Sequence, residues 1–128
     1  MPRGHCHRHG AQHGPCSCGL GRMSRLVEPI VLSLLARGEA RYGYEITGRA
    51  NKATLTDSAV DDAAVYRALR ALEQAGCVVS QWQPGVGGPR RRAYEITDLG
   101  RQHLKDWLTV LDRHIRVLRD FVASHPAD

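Results

Sequence analysis

The feature that most constrains this chain is an apolar repeat near its C-terminal end. Aliphatic side chains recur there at alternating spacings of four and three residues: Leu104, Leu108, Leu111, Ile115, Leu118 and Val122. This is a heptad spacing, typical of a helix that packs along another helix. Thr97 or Asp98 is a suitable N-cap, so we expect one helix over residues 98–123, roughly 37 Å long at about 1.5 Å per residue.

So long an apolar face exceeds what a small domain needs for its own core. We therefore predict that residues 98–123 form a dimerisation helix that pairs with a second copy, with Trp107 in the same interface. Packing of this helix back onto the first helix of the chain is the alternative. We expect His103 and His114, on the same helix, to lie at the surface.

Length and composition limit the remaining choices. The chain has 128 residues, enough for one domain, and its 42% hydrophobic and 24% charged residues are ordinary for a soluble fold. No apolar run is long enough to span a membrane, and the N-terminus has no secretory leader pattern. We expect a cytoplasmic protein whose cysteines are thiols or metal ligands rather than disulfides.

Two short helices are predicted between residues 24 and 52. The first begins after Ser24, a plausible N-cap, and ends at Gly38. The second covers residues 43–52 and brings Tyr44 and Ile46 near the core.

A third helix is predicted between Asp61, a good N-cap, and Gly76. Its apolar stripe consists of Val65, Leu69 and Leu72. Two short strands follow, over residues 77–83 and 92–96, with a Gly- and Pro-rich turn between them. Cys77 opens the first strand, where we expect a buried thiol.

Positive charge is concentrated in two places. The net charge is +5, and residues 1–22 carry Arg3, Arg8 and Arg22 without any acidic side chain. The second concentration is the run of arginines at 90–92, beside the turn of the hairpin. Concentrated positive charge suits a surface that binds phosphates.

The order of elements is helix, helix, helix, hairpin, long helix. We therefore predict a mainly α fold with a small β-hairpin wing: a winged helix-turn-helix over residues 23–97, followed by the dimerisation helix. The third helix can enter a major groove of double-stranded DNA, and the wing can contact phosphates or the minor groove. A two-fold homodimer would read a near-palindromic operator with half-sites about 34 Å apart or a multiple of that distance.

The chain resembles the PadR family of transcriptional regulators. The resemblance lies in VLSLLARGEARYGYEI (31–46), AVYRALRALEQAGCV (64–78) and GPRRRAYEITDLGRQHL (88–104). With the single terminal helix it covers roughly residues 23–121 and is similar to the smaller PadR subfamily. The resemblance implies a dimeric repressor that releases DNA when an effector binds, often near the dimer interface.

The resemblance also indicates which side chains contact DNA. On the third helix, the recognition helix, they are Ala63, Ala64, Tyr66, Arg67 and Arg70, and on the wing they are Arg90, Arg91 and Arg92. The sequence departs from the family pattern at Asp61 and Asp62, where a small residue or proline is common. Two carboxylates there would repel phosphates unless they cap the helix or accept from cytosine. Trp82 and Trp107 are expected to be mainly structural, with effector stacking an alternative for Trp107.

Residues 1–22 form a separate segment rich in Cys and His, with no helical or strand period. Its candidate metal ligands are Cys6, Cys16, Cys18, His5, His7, His9 and His13. Thiolate and imidazole groups bind zinc, copper or an iron–sulfur cluster, but the C-x9-C-x-C spacing does not identify which. We expect this arm to make the regulator metal- or redox-responsive. The alternatives are an incidental basic arm, or a start of translation at Met23.

Other functions compete with this one. A repressor could instead sense a small organic effector between the long helices without any metal, and a winged helix can also serve as a protein–protein adaptor. An enzyme is not expected, because the sequence has no nucleophile elbow, phosphate-binding loop or paired-carboxylate motif.

Overall fold

The structure, a computed structural model, describes residues 26–53, 55, 60–85 and 87–125. In chain order the elements are α1 (Val27–Ala36), α2 (Gly43–Ala50), α3 (Asp62–Gln74), β1 (Val78–Gly85), β2 (Gly88–Ile96) and α4 (Asp98–Ala123). This order confirms the predicted mainly α fold with a hairpin wing. Ser24, the Cys/His-rich segment and its candidate ligands all lie outside the described residues.

α1 is the central helix of the core. It is apolar on nearly every side, as expected for a helix that other elements surround, and it packs against α2, α3 and α4. Its buried residues are Val27, Pro29, Ile30, Val31, Leu32, Leu34 and Leu35. From α3 the predicted stripe of Val65, Leu69 and Leu72 packs onto it, which confirms that prediction.

α2 is shorter than predicted and presents a different face. It ends at Ala50, so the predicted extension to residue 52 is wrong. Ile46 is fully buried as expected, whereas Tyr44 is 56% exposed rather than near the core. The backbone N–H groups of Tyr42 and Arg41 donate to the Glu45 carboxylate at 3.1 and 3.0 Å, and these bonds lower the pKa of Glu45. They fix the start of α2 at Gly43.

The wing is an antiparallel hairpin longer than predicted. Trp82 pairs with Arg92, and the register becomes irregular between Gln83 and Gly85. Strand pairing continues to Gly85 and Gly88, beyond the ends at 83 and 92 that the turn residues indicated. The three arginines at 90–92 therefore all belong to β2.

The base of the wing is tied to the helices on both sides. Ala93 forms a bridge with Tyr42, and the Tyr94 N–H donates to the Arg41 carbonyl at 2.8 Å. At the other side, Thr97 caps α4 by accepting from the Gly100 N–H at 3.0 Å, and its hydroxyl donates to the Gly76 carbonyl at 2.7 Å. These bonds confirm Thr97 as the cap and fix the direction of α4.

α4 divides into a packed half and an exposed half. Between Gly100 and Leu111 it packs on α1, so the alternative of folding back on the first helix holds for this half. Trp107, expected in the dimer interface, lies instead in the chain's own core at 3% exposure, and Leu104 and Leu111 pack against that core.

The exposed half continues the same apolar face. Beyond Leu111, and at Leu108 before it, apolar side chains are about half exposed or more: Leu108, Ile115, Val117, Leu118, Phe121 and Val122. Within the part of the chain that the structure describes, nothing covers them.

A buried polar contact joins the packed half of α4 to α1. His103 is 7% exposed, so its predicted surface position is wrong. Its Nε2 lies 3.1 Å from Glu28 Oε1, which also accepts from Trp107 Nε1 at 3.4 Å. Cys77 is buried, as predicted. Among the described residues, no helix is both long enough and apolar enough to cross a membrane.

Candidate nucleic-acid interface

α3 and the wing enclose an open cleft of about 550 Å³, and the start of α2 lies at its base. Aromatic rings and guanidinium groups dominate its walls. The lining residues are Tyr42, Gly43, Tyr44, Tyr66, Arg70, Glu73, Trp82, Arg90, Arg91, Arg92 and Tyr94.

Beside the cleft, α3 presents an exposed stripe that points away from the core. Its members are Ala63, Arg67, Arg70 and Gln74, spaced by four, three and four residues. At 3.6 residues per turn this spacing forms one line along the helix, on the side opposite Val65, Leu69 and Leu72. Ala64 lies to one side and is half-buried. Gln74 was not among the predicted contacts, although the same spacing indicates it.

Tyr66 lies on the side of α3 that faces α2. It is 43% exposed, and a Cβ at Gly43 would lie 3.1 Å from its hydroxyl oxygen. The absence of a side chain at Gly43 therefore lets the Tyr66 hydroxyl rest against the first turn of α2. This contact positions α3 relative to α2, and the Tyr66 ring lines the cleft.

The two carboxylates at the start of α3 are held within the chain. Asp61 caps the helix by accepting from the Ala64 N–H at 2.7 Å, as predicted. Asp62 Oδ1 accepts from Asn51 Nδ2 at 3.2 Å. Helical spacing puts both positions more than a quarter turn away from the outward stripe. The carboxylates consequently do not stand between the stripe and a ligand.

Arg92 is fixed by a three-residue network that joins the wing to α3. Its Nη2 donates to Glu73 Oε1 at 3.2 Å, and its Nε donates to the Ser80 hydroxyl at 2.8 Å. The Ser80 hydroxyl in turn donates to Glu73 Oε2 at 2.7 Å. The network sets the distance between α3 and the wing.

Arg91 is held by the aromatic pair at the start of α2. The rings of Tyr42 and Tyr44 stack with their centroids 5.9 Å apart. The Arg91 guanidinium lies 4.5 Å from the Tyr42 centroid and donates to the Tyr44 hydroxyl at 3.1 Å. Its Nε is shielded from solvent and has no hydrogen-bond acceptor. Every other buried side-chain nitrogen or oxygen of the described residues has a hydrogen-bond partner. The fork of Arg91 is thus oriented before any ligand arrives.

Arg90 lies further out, toward the tip of the wing. Its guanidinium carbon is 5.8 Å from the Trp82 ring, and that of Arg92 is 5.6 Å from the same ring. Trp82, expected to be mainly structural, lies on the hairpin with 52% of its surface exposed. An exposed indole between two cations offers an apolar face beside phosphate-binding groups.

The electrostatics of the cleft are strongly positive. Four arginines line it, with Glu73 as the only carboxylate among the lining residues. Burial raises the pKa of Tyr94, so its hydroxyl stays neutral at physiological pH. A cleft with fixed guanidinium groups and flat apolar walls can hold a polyanionic chain with planar bases.

Most of the predicted contact residues meet on this one surface. Tyr66, Arg70 and the arginines at 90–92 line the cleft, and Ala63 and Arg67 lie on the adjoining stripe. Sequence reasoning missed Tyr42, Tyr44 and Glu73. The two tyrosines flank Gly43, and aromatic residues on both sides of a helix-opening glycine are the signal that could have identified them.

Comparison with known proteins agrees with this geometry. Residues 31–106 match the family described as transcriptional regulator PadR-like. A transcriptional regulator of Clostridium thermocellum is 30% identical, with a TM-score of 0.65 over 76% of this chain and 90% of that one. A PadR family regulator of Clostridium difficile has 22% identity and a TM-score of 0.62, covering 76% of this chain and 98% of the other.

Bacillus subtilis PadR, solved in complex with operator DNA, has 24% identity and a TM-score of 0.55. The match covers 65% of this chain and 47% of that protein. The family and these neighbours are transcription regulators rather than enzymes, as the sequence predicted.

Proposed function

The chain belongs to the transcriptional regulator PadR-like family, and from this premise we propose that it binds double-stranded operator DNA as a homodimeric repressor. In this proposal α3 enters the major groove and the wing contacts the flanking backbone. The observation that carries the proposal is the arrangement of Arg90, Arg91 and Arg92 around an aromatic cleft that adjoins the exposed stripe of α3.

The preorganisation of the wing arginines supports a role in phosphate binding. Arg91 and Arg92 are already held by Tyr44 and by Glu73 and Ser80, so little side-chain freedom remains to be lost on binding. Guanidinium forks pair bidentately with phosphate oxygens. The operator complex of the related Bacillus subtilis regulator supports DNA as the partner.

The exposed half of α4 supports the homodimer. Its apolar face continues the face that packs on α1 and includes Ile115, Leu118 and Val122, each about half exposed or more. An apolar helix face of this length is typical of a coiled-coil contact. A second copy of α4 would cover it and present two α3 helices to neighbouring major grooves.

The test is selection from a random duplex library by the full-length protein, followed by affinity measurements. We expect a near-palindromic motif that is bound at least about a thousandfold more tightly than scrambled duplex at physiological salt. Equal affinity for all duplexes, with or without the native promoter region, would contradict the proposal and favour the protein–protein adaptor.

We also propose that the segment with Cys6, Cys16 and Cys18 binds a metal ion or cluster and makes the regulator metal- or redox-responsive. The supporting observation is the density of thiol and imidazole groups in residues 5–18. Elemental analysis and absorption spectra of anaerobically purified, untagged protein test this. We expect about one equivalent of metal per chain, lost when the three cysteines are replaced by serine.

Metal-free protein that still binds its operator would contradict the metal proposal and leave the DNA proposal intact. It would shift attention to an organic effector held between the long helices. Deletion of residues 1–22 distinguishes the metal-sensing arm from the organic effector. If the arm is the sensor, the deletion should abolish the response to metal and largely keep the affinity for DNA.

A further inference from the structure

We infer that Arg67 reads a guanine in each operator half-site through a bidentate contact, whereas the wing arginines supply sequence-independent phosphate binding. This inference rests on the proposed function and gives the arginines of α3 and the wing different roles in it. Three features of the described residues carry it: the direction of Arg67, its lack of intramolecular partners and the small side chain one turn before it.

The direction of Arg67 follows from the burial of α3. Val65, Leu69 and Leu72 face the core, and Arg67 lies exposed on the opposite side of the helix. A side chain that points away from the core along a groove-inserted helix points toward the base edges. Arg70 leans instead toward the cleft that it lines with the wing.

The guanidinium of Arg67 is not engaged elsewhere. It makes no hydrogen bond or ion pair with the described residues, in contrast to Arg91 and Arg92, whose donors already face Tyr44, Ser80 and Glu73. A bidentate contact needs two parallel N–H groups of one guanidinium, directed at guanine O6 and N7. Within the described part of the chain, three arginines of α3 and the wing donate no hydrogen bond: Arg67, Arg70 and Arg90. Of these three, Arg67 alone lies outside the lining of the cleft.

The neighbourhood of Arg67 permits close approach. Ala63 lies one turn earlier on the same stripe and is exposed, so the helix presents only a methyl group at that position. Asp61 and Asp62 are off the stripe and accept hydrogen bonds within the chain. An arginine reaching past a small residue can contact a base edge without lifting the helix out of the groove.

The experiment uses the full-length protein, a random duplex library and two substitutions, Arg67→Ala and Arg67→Lys. We expect the wild-type motif to contain a guanine whose preference disappears in Arg67→Ala and weakens in Arg67→Lys, while the rest of the motif persists. Affinity for the wild-type motif should fall roughly 5- to 150-fold for Arg67→Ala. Arg116→Ala is the matched control, since Arg116 is an exposed arginine on α4, outside the proposed interface.

A chemical substitution in the DNA isolates the contact. Replacing that guanine by 7-deazaguanine removes the N7 acceptor and keeps the Watson–Crick pair. We expect it to weaken binding of the wild type and to have no further effect on Arg67→Ala. This non-additivity identifies the pair, because independent effects would multiply.

Three results would overturn the inference. A wild-type motif without guanine, an unchanged motif in Arg67→Ala, or an equal penalty from 7-deazaguanine in both proteins would each remove Arg67 as the reader while the proposed function stands. If the wild type selects no motif at all, the proposed function itself fails, and this inference fails with it.

Discussion

At the scale of single residues, Glu73 is the unexpected member of the candidate interface. It is the one carboxylate among the lining residues of an arginine-rich cleft, and its charge opposes the approach of phosphates. It nevertheless holds Arg92 and Ser80. We interpret it as a positioning residue. Its charge lowers the affinity for DNA, and its bonds fix the geometry between α3 and the wing.

This interpretation predicts opposite effects on affinity and on discrimination. Glu73→Ala removes a negative charge and frees Arg92, so affinity for scrambled duplex should rise several-fold while the ratio of specific to scrambled affinity falls. Stability should change by less than about 1 kcal/mol, because the ion pair is partly exposed. Equilibrium titrations with both duplexes and thermal melting measure these quantities.

The control is Glu95→Ala, which removes the same charge from an exposed position of β2 outside the cleft lining. It should leave the discrimination ratio unchanged. An equal fall of the ratio in Glu95→Ala would show that the loss of charge alone lowers discrimination. An unchanged ratio in Glu73→Ala would show that the network does not contribute to discrimination.

Sequence reasoning located single residues well where the signal was local. Asp61 was recognisable as a cap because capping depends on a few neighbouring backbone groups. His103 and Tyr44 were misplaced because their surroundings are set by distant elements: His103 faces Glu28 of α1, and Tyr44 bonds Arg91 of the wing. No periodicity within one helix contains that information.

At the scale of elements, the junction between the wing and α4 depends on a glycine. A Cβ at Gly100 would collide with the Cys77 carbonyl oxygen and lie 2.7 Å from Ile96 Cγ1. The carbonyl is backbone and cannot move aside easily. The close packing of Gly100 against the Cys77 carbonyl and the Ile96 side chain therefore determines the position of the first turn of α4 relative to the hairpin.

We predict that Gly100→Ala destabilises the protein by about 2 kcal/mol or more and lowers its melting temperature by several degrees. Gly48→Ala is the matched control, because a Cβ there meets nothing within 4 Å. It should stabilise α2 by about 0.5–1 kcal/mol. Melting curves at one protein concentration test both, and equal stability of the two variants would contradict the packing described at Gly100.

The exposed half of α4 gives a second prediction at this scale. Leu118→Glu combined with Val122→Glu should convert the proposed dimer to a monomer, with a dissociation constant raised more than about a hundredfold, because each side chain contributes about 1.5–3 kcal/mol when buried. Helix content should be kept, since both side chains are exposed within the chain.

Sedimentation equilibrium measures the change, with Thr109→Glu, an exposed position off the apolar face, as the control. A double variant that still sediments as the wild type would contradict the interface.

The elements themselves could be predicted from periodicity and caps, but their ends and partners could not. Strand pairing runs past the Gly- and Pro-rich turn residues, so β2 includes Arg90 and Arg91. The apolar repeat of α4 correctly indicated a long helix. The repeat could not show that Trp107 packs in the chain's own core whereas Leu118 remains exposed. Contact within the chain and contact with a second helix both produce the same heptad pattern.

At the scale of the whole molecule, the central helix α1 packs against α3, against the wing and against α4, whose second half projects from the core. The cleft between α3 and the wing brings Arg70 close to the arginines at 90–92, which lie about twenty residues later in the chain. Tyr44 and Arg91, which are bonded to each other in this cleft, lie 47 residues apart in the chain. Fold and family were therefore accessible from sequence, while the composition of the cleft required the tertiary structure.

The salt dependence of DNA binding tests whether the surface of α3 and the wing binds duplex DNA. The measurement compares the wild type with the Arg91→Ala, Arg92→Ala double variant on the selected duplex over a range of salt concentrations. We predict that the double variant binds more weakly and that its slope of log affinity against log salt is smaller by about two per subunit. The Arg116→Ala control should keep the wild-type slope, and a double variant with wild-type affinity and slope would contradict the account.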